Sequence, residues 1–531
     1  MKKRSFAVLS LAMVLALAVS MLSGCSSKAG STSSQAGDES ASAGELVSQE
    51  KNGKSRPTTG NKDNNALTTA YSGTVSTIDP ELFTSQDEDT VLAQIYEPLF
   101  LFDNKGEMKP YLAESWTQND DGSVDFTLRS NVKFHSGDTL TSEDVEYTLG
   151  RTKNSPVCSA IYGNVEMTIT DDTHFTWTFP NQDNGASFND LSGYIQAMDI
   201  VNKSWAEGVI SDPNDDLVYN EDGTGPYTFG GIESSGDITL NRFDGYWGDA
   251  SIDTIYFKHL TGDFEVAFES GDLDVAQYSS PDNFKNITAD DNVQGTTQPV
   301  NRVGYITMNS TDGKTFASQD VRKAVAYAIN RDDLAYAASN GTGTTAYNLA
   351  TPLTQFYTDN ADHFDQDIDK SKELLESAGY SESKPAEVTL VAVTSNNDIV
   401  TASELLKEML EQSYFKVTIE ETPDMTRIQS GDYDLALTSI GLLPSFGSYS
   451  LIFKPDTGLD FAGAVDEDVN QAFADAKDEA GFQNAMKVST ESCYYIPVWY
   501  PSVLLAADGD LNVGEFNTSL TCYLFGEFSW K

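Results

Sequence analysis

Five groups of residues have the types and spacing that chemistry could use. Gly341-Thr342-Gly343-Thr344-Thr345-Ala346 fits the loose form of a dinucleotide-binding turn. That turn works only after a strand and before a helix, where pyrophosphate meets the helix N-terminus. Here the pattern follows a helical stretch, so it reads as a loop. Asp365, Asp367, Asp369 and Glu376 have the spacing of a calcium loop, but its sixth position needs glycine and holds Lys370. The stretch reads as solvated acids before a capped helix. His135, His174, His259 and His363 have no second histidine or cysteine at ligand spacing, so no metal site is expected. No nucleophile elbow or phosphate loop occurs. With 81 acidic residues, chance pairs of carboxylates identify no acid–base catalyst. No catalytic residue, no cofactor and no enzymatic activity are expected.

The remaining group is Leu22-Ser23-Gly24-Cys25. Before it stand Lys2, Lys3 and Arg4, then an apolar stretch from Phe6 to Leu22 broken only by Ser10 and Ser20. Positive start, apolar middle and small residues before a cut make a secretory signal over residues 1–24. The tetrapeptide resembles the lipobox of bacterial lipoproteins, which implies acyl chains on Cys25. Several chains hold a protein stably on a membrane, because each buried CH₂ contributes about 0.8 kcal/mol. Residues 25–65 are dominated by Gly, Ser, Ala, Asp and Glu. Such a stretch buries too little apolar surface to offset its ordering entropy, so a flexible tether is expected. The expected location is extracytoplasmic, on the outer face of the cell membrane.

About 465 residues remain, enough for two lobes. The net charge of −48 excludes nucleic acid as a partner, since phosphates need clustered Lys and Arg. Cys158, Cys493 and Cys522 are too few for a disulfide framework. Pairing of Cys493 with Cys522 and free buried thiols are both open.

Alternating apolar residues predict strands at 66–71, 124–128, 174–179, 251–257, 388–393 and 417–419. Residues 91–96 have helical spacing. Val321, Ala324, Val325 and Ala328 share one face of a helix that Asp320 can cap, and Asp369 can cap a helix ended by Gly379. Alternating helix and strand in the second half argues for an α/β lobe.

Several stretches in order resemble bacterial solute-binding protein family 5, the receptors for dipeptides, oligopeptides and nickel complexes of ATP-driven importers. They begin with Ile95-Tyr96-Glu97-Pro98-Leu99 and Pro110-Tyr111-Leu112-Ala113-Glu114-Ser115-Trp116. They continue at 120–122, 126–129, 132–137 and 140–145, then Gly223-Thr224-Gly225-Pro226-Tyr227 and Tyr246-Trp247-Gly248. Residues 269–276, 321–329, 372–380 and 430–435, and Ile496-Pro497-Val498, complete the series. Trp116, Phe126 and Phe134 among them read as core.

The resemblance implies an α/β, two-lobe periplasmic-binding-protein-like fold of type II, with an extra subdomain inserted in the first lobe. The implied division is 66–104 and 227–303 for lobe I around an inserted subdomain at 105–226. Lobe II follows at 304–495, and the C-terminal part of lobe I at 496–531. It further implies a monomer that closes on a peptide or peptide-like solute and delivers it to permease and ATPase subunits. A sensory surface lipoprotein and an exported glycan hydrolase are the alternatives.

Phe83, Thr84 and Ser85 resemble the pocket loop of the dipeptide receptors. Those receptors grip the peptide carboxylate with an Arg and a Tyr, where this chain has Ser395 and Asn397. They pair the peptide ammonium with an Asp, where this chain has Gly441, Leu442 and Leu443. The resemblance therefore implies a longer, blocked or largely neutral solute, contacted also by Trp499 or Tyr500.

Overall fold

In the computed structural model, the described residues are 45–531 except 48–49, 84, 104–106, 155–161, 164, 180–197, 214, 395–396, 424, 442–445, 454–459, 464–465, 477 and 518–521. Cys25, Thr84, Cys158, Ser395, Leu442 and Leu443 lie outside them.

Two lobes are each built on their own sheets. Lobe I has one sheet in which Ala66–Tyr71 runs parallel to Thr254–His259, with Ile238–Arg242 and Tyr227–Ile232 beyond it. Its second sheet orders Glu45–Leu46, Val293–Pro299, Ser502–Asp508 and Val275–Tyr278. Lobe II has six strands in the order Thr344–Thr345, Tyr495–Tyr500, Arg302–Met308, Leu435–Gly441, Ala386–Val393 and Phe415–Thr422. The last two strands are parallel, which requires a crossover, and the helix Asn397–Leu410 supplies it. Ile306, Leu390, Leu435 and Val498 from this sheet pack with Val321, Ala324, Val325 and Ala328 of the helix Gln319–Ala328.

Between Phe100 and Ile200 the chain forms a separate four-stranded antiparallel sheet with its own aromatic core. Asp121 and Gly122 turn its first hairpin; Gly122 has φ +82°, and the Asp121 carboxylate accepts from the Ser123 backbone N–H at 3.0 Å. Phe126 and Phe175 stack at 5.0 Å across the sheet. Phe126 and Phe134 are buried, whereas Trp116, expected in the core, is half-buried at its edge. Gly223 and Gly225 pack this subdomain's exit against lobe I. A Cβ on Gly225 would stand 2.7 Å from the Ile95 carbonyl carbon, so no larger residue fits.

Four expectations are corrected. The helices expected at 321–329 and 370–378 have their N-caps two residues earlier than expected. The first has Ser318 at its N-cap, and Asp320 lies in its first turn. The second is capped by Asp367, whose carboxylate accepts from Lys370 N at 2.8 Å. Asp320 and Asp369 still oppose the positive ends of the helix dipoles. The strand expected at 251–257 occupies Thr254–His259.

The tether does not extend to residue 65. Glu45 and Leu46 add a strand to lobe I opposite Thr297 and Thr296. Lys51 Nζ then donates to the carbonyls of Thr288, Asp290 and Val293 at 3.0, 2.8 and 2.6 Å. Thr59 and Asn61 both donate to the buried Asp274 carboxylate. Composition marked these side chains as solvated; distant carbonyls and carboxylates claim them instead.

Lastly, the return to lobe I, expected at 496, falls after Tyr500. The run Tyr495–Tyr500 is buried along its whole length as a strand of lobe II, and Ser502 opens the lobe I strand. The outward crossing lies between Pro299 and Arg302. The two crossings touch where Val300 N donates to Pro501 O at 3.2 Å.

Candidate functional site

The edge of lobe II from which both crossings leave is the edge that faces lobe I. The strands Arg302–Met308 and Tyr495–Tyr500 are antiparallel, so Arg302 and Tyr500 lie at the same end. Arg302 pairs across the sheet with Gly441, the last residue of its strand. The C-terminal end of Ala386–Val393 and the start of the helix at Asn397 also lie there, because that strand runs parallel to Leu435–Gly441. Solutes of open α/β sheets bind outside the carboxyl ends of such strands. Of the expected lobe II residues, Asn397 and Gly441 are thereby brought to one edge.

Trp499 and Tyr500 differ from expectation. Trp499 is 3 % exposed, and its indole fills the space above Gly304, where a Cβ would come within 2.2 Å of the ring. Tyr500 is 6 % exposed and its hydroxyl donates to backbone oxygens of Asn348 and Ala350, at 2.8 and 2.9 Å. Both serve the packing of lobe II behind the edge. An apolar run that closes a sheet gives the same sequence signal as an aromatic contact surface.

On lobe I, Phe83 is half-buried against the core. Ser85 is the N-cap of the helix Gln86–Ile95. Its hydroxyl accepts from Glu88 N at 3.2 Å, and the Glu88 carboxylate accepts from Ser85 N at 3.1 Å. This capping box fixes the loop to the helix start. One turn on, Asp89 donates its backbone N–H to Ser85 O, and its carboxyl group is pushed up to about 7 by burial, against the pull of the Gln86 amide. Asp199 is driven well above the usual carboxylate range by burial and by the charge of Asp89. The Cys522 thiol is raised by burial and by the same two acids. Cys522 and Cys493 are both free and buried, in the lobe I and lobe II parts of the chain, so they do not pair.

Sequence reasoning missed Arg302. The residue is half-buried, and Nη1 donates to Ser439 Oγ at 3.2 Å. Burial holds its pKa down, to about 10. The available signal was one basic residue heading the otherwise apolar strand 302–308. Among the described residues, no group of three or more His, Cys, Asp or Glu could hold a metal ion. Nor is any described helix long and apolar enough to cross a membrane.

Comparison with known proteins agrees with this geometry. The chain is 28 % identical to the dipeptide-binding protein of Escherichia coli (strain K12) over 379 residues, 66 % of this chain and 69 % of the relative. It is 26 % identical over 403 residues to di/tripeptide-binding protein 1 of Pseudomonas aeruginosa, 69 % of this chain and 74 % of that one. The fold matches the crystal structure of an ABC transporter substrate-binding protein from Listeria monocytogenes with a TM-score of 0.76 at 21 % identity, covering 88 % of this chain and 99 % of the other. The family model for the middle part of bacterial extracellular solute-binding proteins, family 5, matches residues 107–455. With two lobes, paired crossings and that match over most of its length, the chain belongs to the bacterial extracellular solute-binding proteins of family 5.

Proposed function

We infer that this protein is the lipid-anchored receptor of an ATP-driven importer and that it captures a peptide or peptide-like solute between its lobes. The observation that carries this reading is the pair of touching crossings, Val300 to Pro501, between two lobes with separate cores. Such a joint lets the lobes close on a solute and open again with little change inside either one. Binding relatives of di- and tripeptides support the solute class. The solute is held by Phe83, Thr84 and Ser85 on lobe I, and by Ser395, Asn397, Gly441, Leu442 and Leu443 on lobe II. The family is one of binding proteins, and this member is read as a monomeric receptor without catalytic activity.

Calorimetry against free dipeptides, longer peptides and their N-acetylated or C-amidated forms tests the solute class. At least one peptide set is expected to bind with micromolar affinity or better. No binding across the whole panel would remove peptides as the cargo. Cys25 is proposed as the acylated first residue of the mature protein. The mature mass should therefore include acyl chains, and an unmodified Cys25 would contradict the anchor.

A further inference from the structure

We propose that Arg302 is the anion anchor of the cleft and that the transported solute presents a carboxylate to it. This rests on the solute-capture reading above and narrows the class of solute.

The first ground is place. Arg302 stands immediately after a crossing, on the lobe II edge that faces lobe I, opposite Gly441. The N-terminal end of the helix Asn397–Leu410 lies on the same edge and adds a positive dipole end.

The second ground is the absence of a partner. A guanidinium has five N–H donors, and this one makes a single hydrogen bond, to the neutral Ser439 hydroxyl. Every other described arginine has a carboxylate or a backbone carbonyl as partner. Arg56, Arg151, Arg242 and Arg427 have carboxylates. Arg322 and Arg331 each donate to three backbone carbonyls, and Arg129 lies over the Trp247 ring while donating to Tyr111 O. Arg129, Arg322 and Arg331 also lack an ion pair, but each donates to at least one backbone carbonyl, which Arg302 does not. Desolvating a cation without a counter-charge is costly, and burial accordingly makes Arg302 easier to deprotonate.

The third ground is chemistry. The planar guanidinium fork matches a carboxylate bidentately, which an ammonium cannot do. The arginine that dipeptide receptors use in the segment now holding Ser395 and Asn397 is thus replaced from a different strand. The solute is therefore a peptide with a free C-terminal carboxylate, or a peptide-like acid, rather than one with a blocked end.

The test uses N-acetylated tri- and tetrapeptide pools, as free acids and as C-terminal amides, with wild type, Arg302→Gln and Arg302→Lys. Wild type should bind the acids about ten- to a hundredfold more tightly than the amides. Arg302→Gln should lose that preference while binding amides as wild type does, and Arg302→Lys should keep part of it. Unfolding midpoints establish that the variants fold. Equal binding of acids and amides by wild type, or an undiminished preference in Arg302→Gln, overturns the proposal. If neither pool binds wild type, the peptide reading fails, and succinate, glutarate and citrate become the probes. Their binding by wild type and loss in Arg302→Gln would uphold Arg302 as the anion anchor; no binding, or no loss, would overturn it.

Discussion

Two arginines mark the contrast between the far end of lobe I and the hinge edge of lobe II. Arg56 is 5 % exposed, yet its surroundings answer its charge. Nη1 donates to Pro57 O and Phe268 O at 2.9 and 3.0 Å, Nη2 lies 3.5 Å from Asp508, and Cζ sits 3.8 Å from the Phe268 ring centre. Arg302 is more open and has one neutral hydroxyl. The first arrangement ties the N-terminal segment to a lobe through one carboxylate and two carbonyls, although Nε and Nη2 make no hydrogen bond. The second has neither a carboxylate nor a carbonyl partner for its guanidinium. On the proposal above, a carboxylate partner within the protein marks an arginine that holds the fold, and its lack marks one that meets the solute.

The largest effect should come from breaking the compensated site. Arg56→Met leaves Asp508 buried without its partner, which should destabilise lobe I by about 3 kcal/mol or more. Urea unfolding should show this, with solute affinity unchanged at temperatures where the variant is folded. The double variant Arg56→Met/Asp508→Leu should recover much of the loss. If Arg56→Met were as stable as wild type, the contrast with Arg302 would collapse. Arg302→Gln should do the reverse, altering solute preference with stability unchanged or raised.

A smaller effect is expected at Glu81, buried beside the Asp79–Arg151 ion pair, which is 2.6 Å long. Its carboxyl group is pushed up to about 8, mainly by burial, although Thr152 and Arg151 pull it down. The folded protein therefore keeps a proton that the unfolded chain releases near 4.5. This contribution to stability is fully present below that value and is lost as pH rises through about 8. Glu81→Gln has no such proton to lose. Its melting temperature relative to wild type should rise between pH 5 and pH 9, by a few degrees. A constant difference across that range would show that Glu81 titrates normally.

Much of the fold was legible because it rests on local periodicity. Ala66–Tyr71 and Val124–Leu128 fall where alternation places them. The helix caps were displaced by two residues because several neighbouring Asp and Ser residues can each cap, and packing chooses among them. The fastened segment 45–65 was illegible because its partners Asp274 and Asp508 lie more than 200 residues away in sequence. The crossing at Pro501 was placed early because an apolar strand ending one lobe and an apolar strand opening the next read as a continuous run. In the candidate site, sequence marked Asn397 and Gly441, which the fold brings to one edge. Arg302 escaped notice because an unpaired charge becomes visible only when its neighbours are known.

The central claim is that the lobes close on a peptide-like solute around the joint at Val300 and Pro501. Small-angle scattering with and without a saturating peptide that binds in calorimetry tests it most directly. A smaller radius of gyration in the bound state is the expected result. An unchanged radius at saturation would contradict closure of the lobes on their cargo.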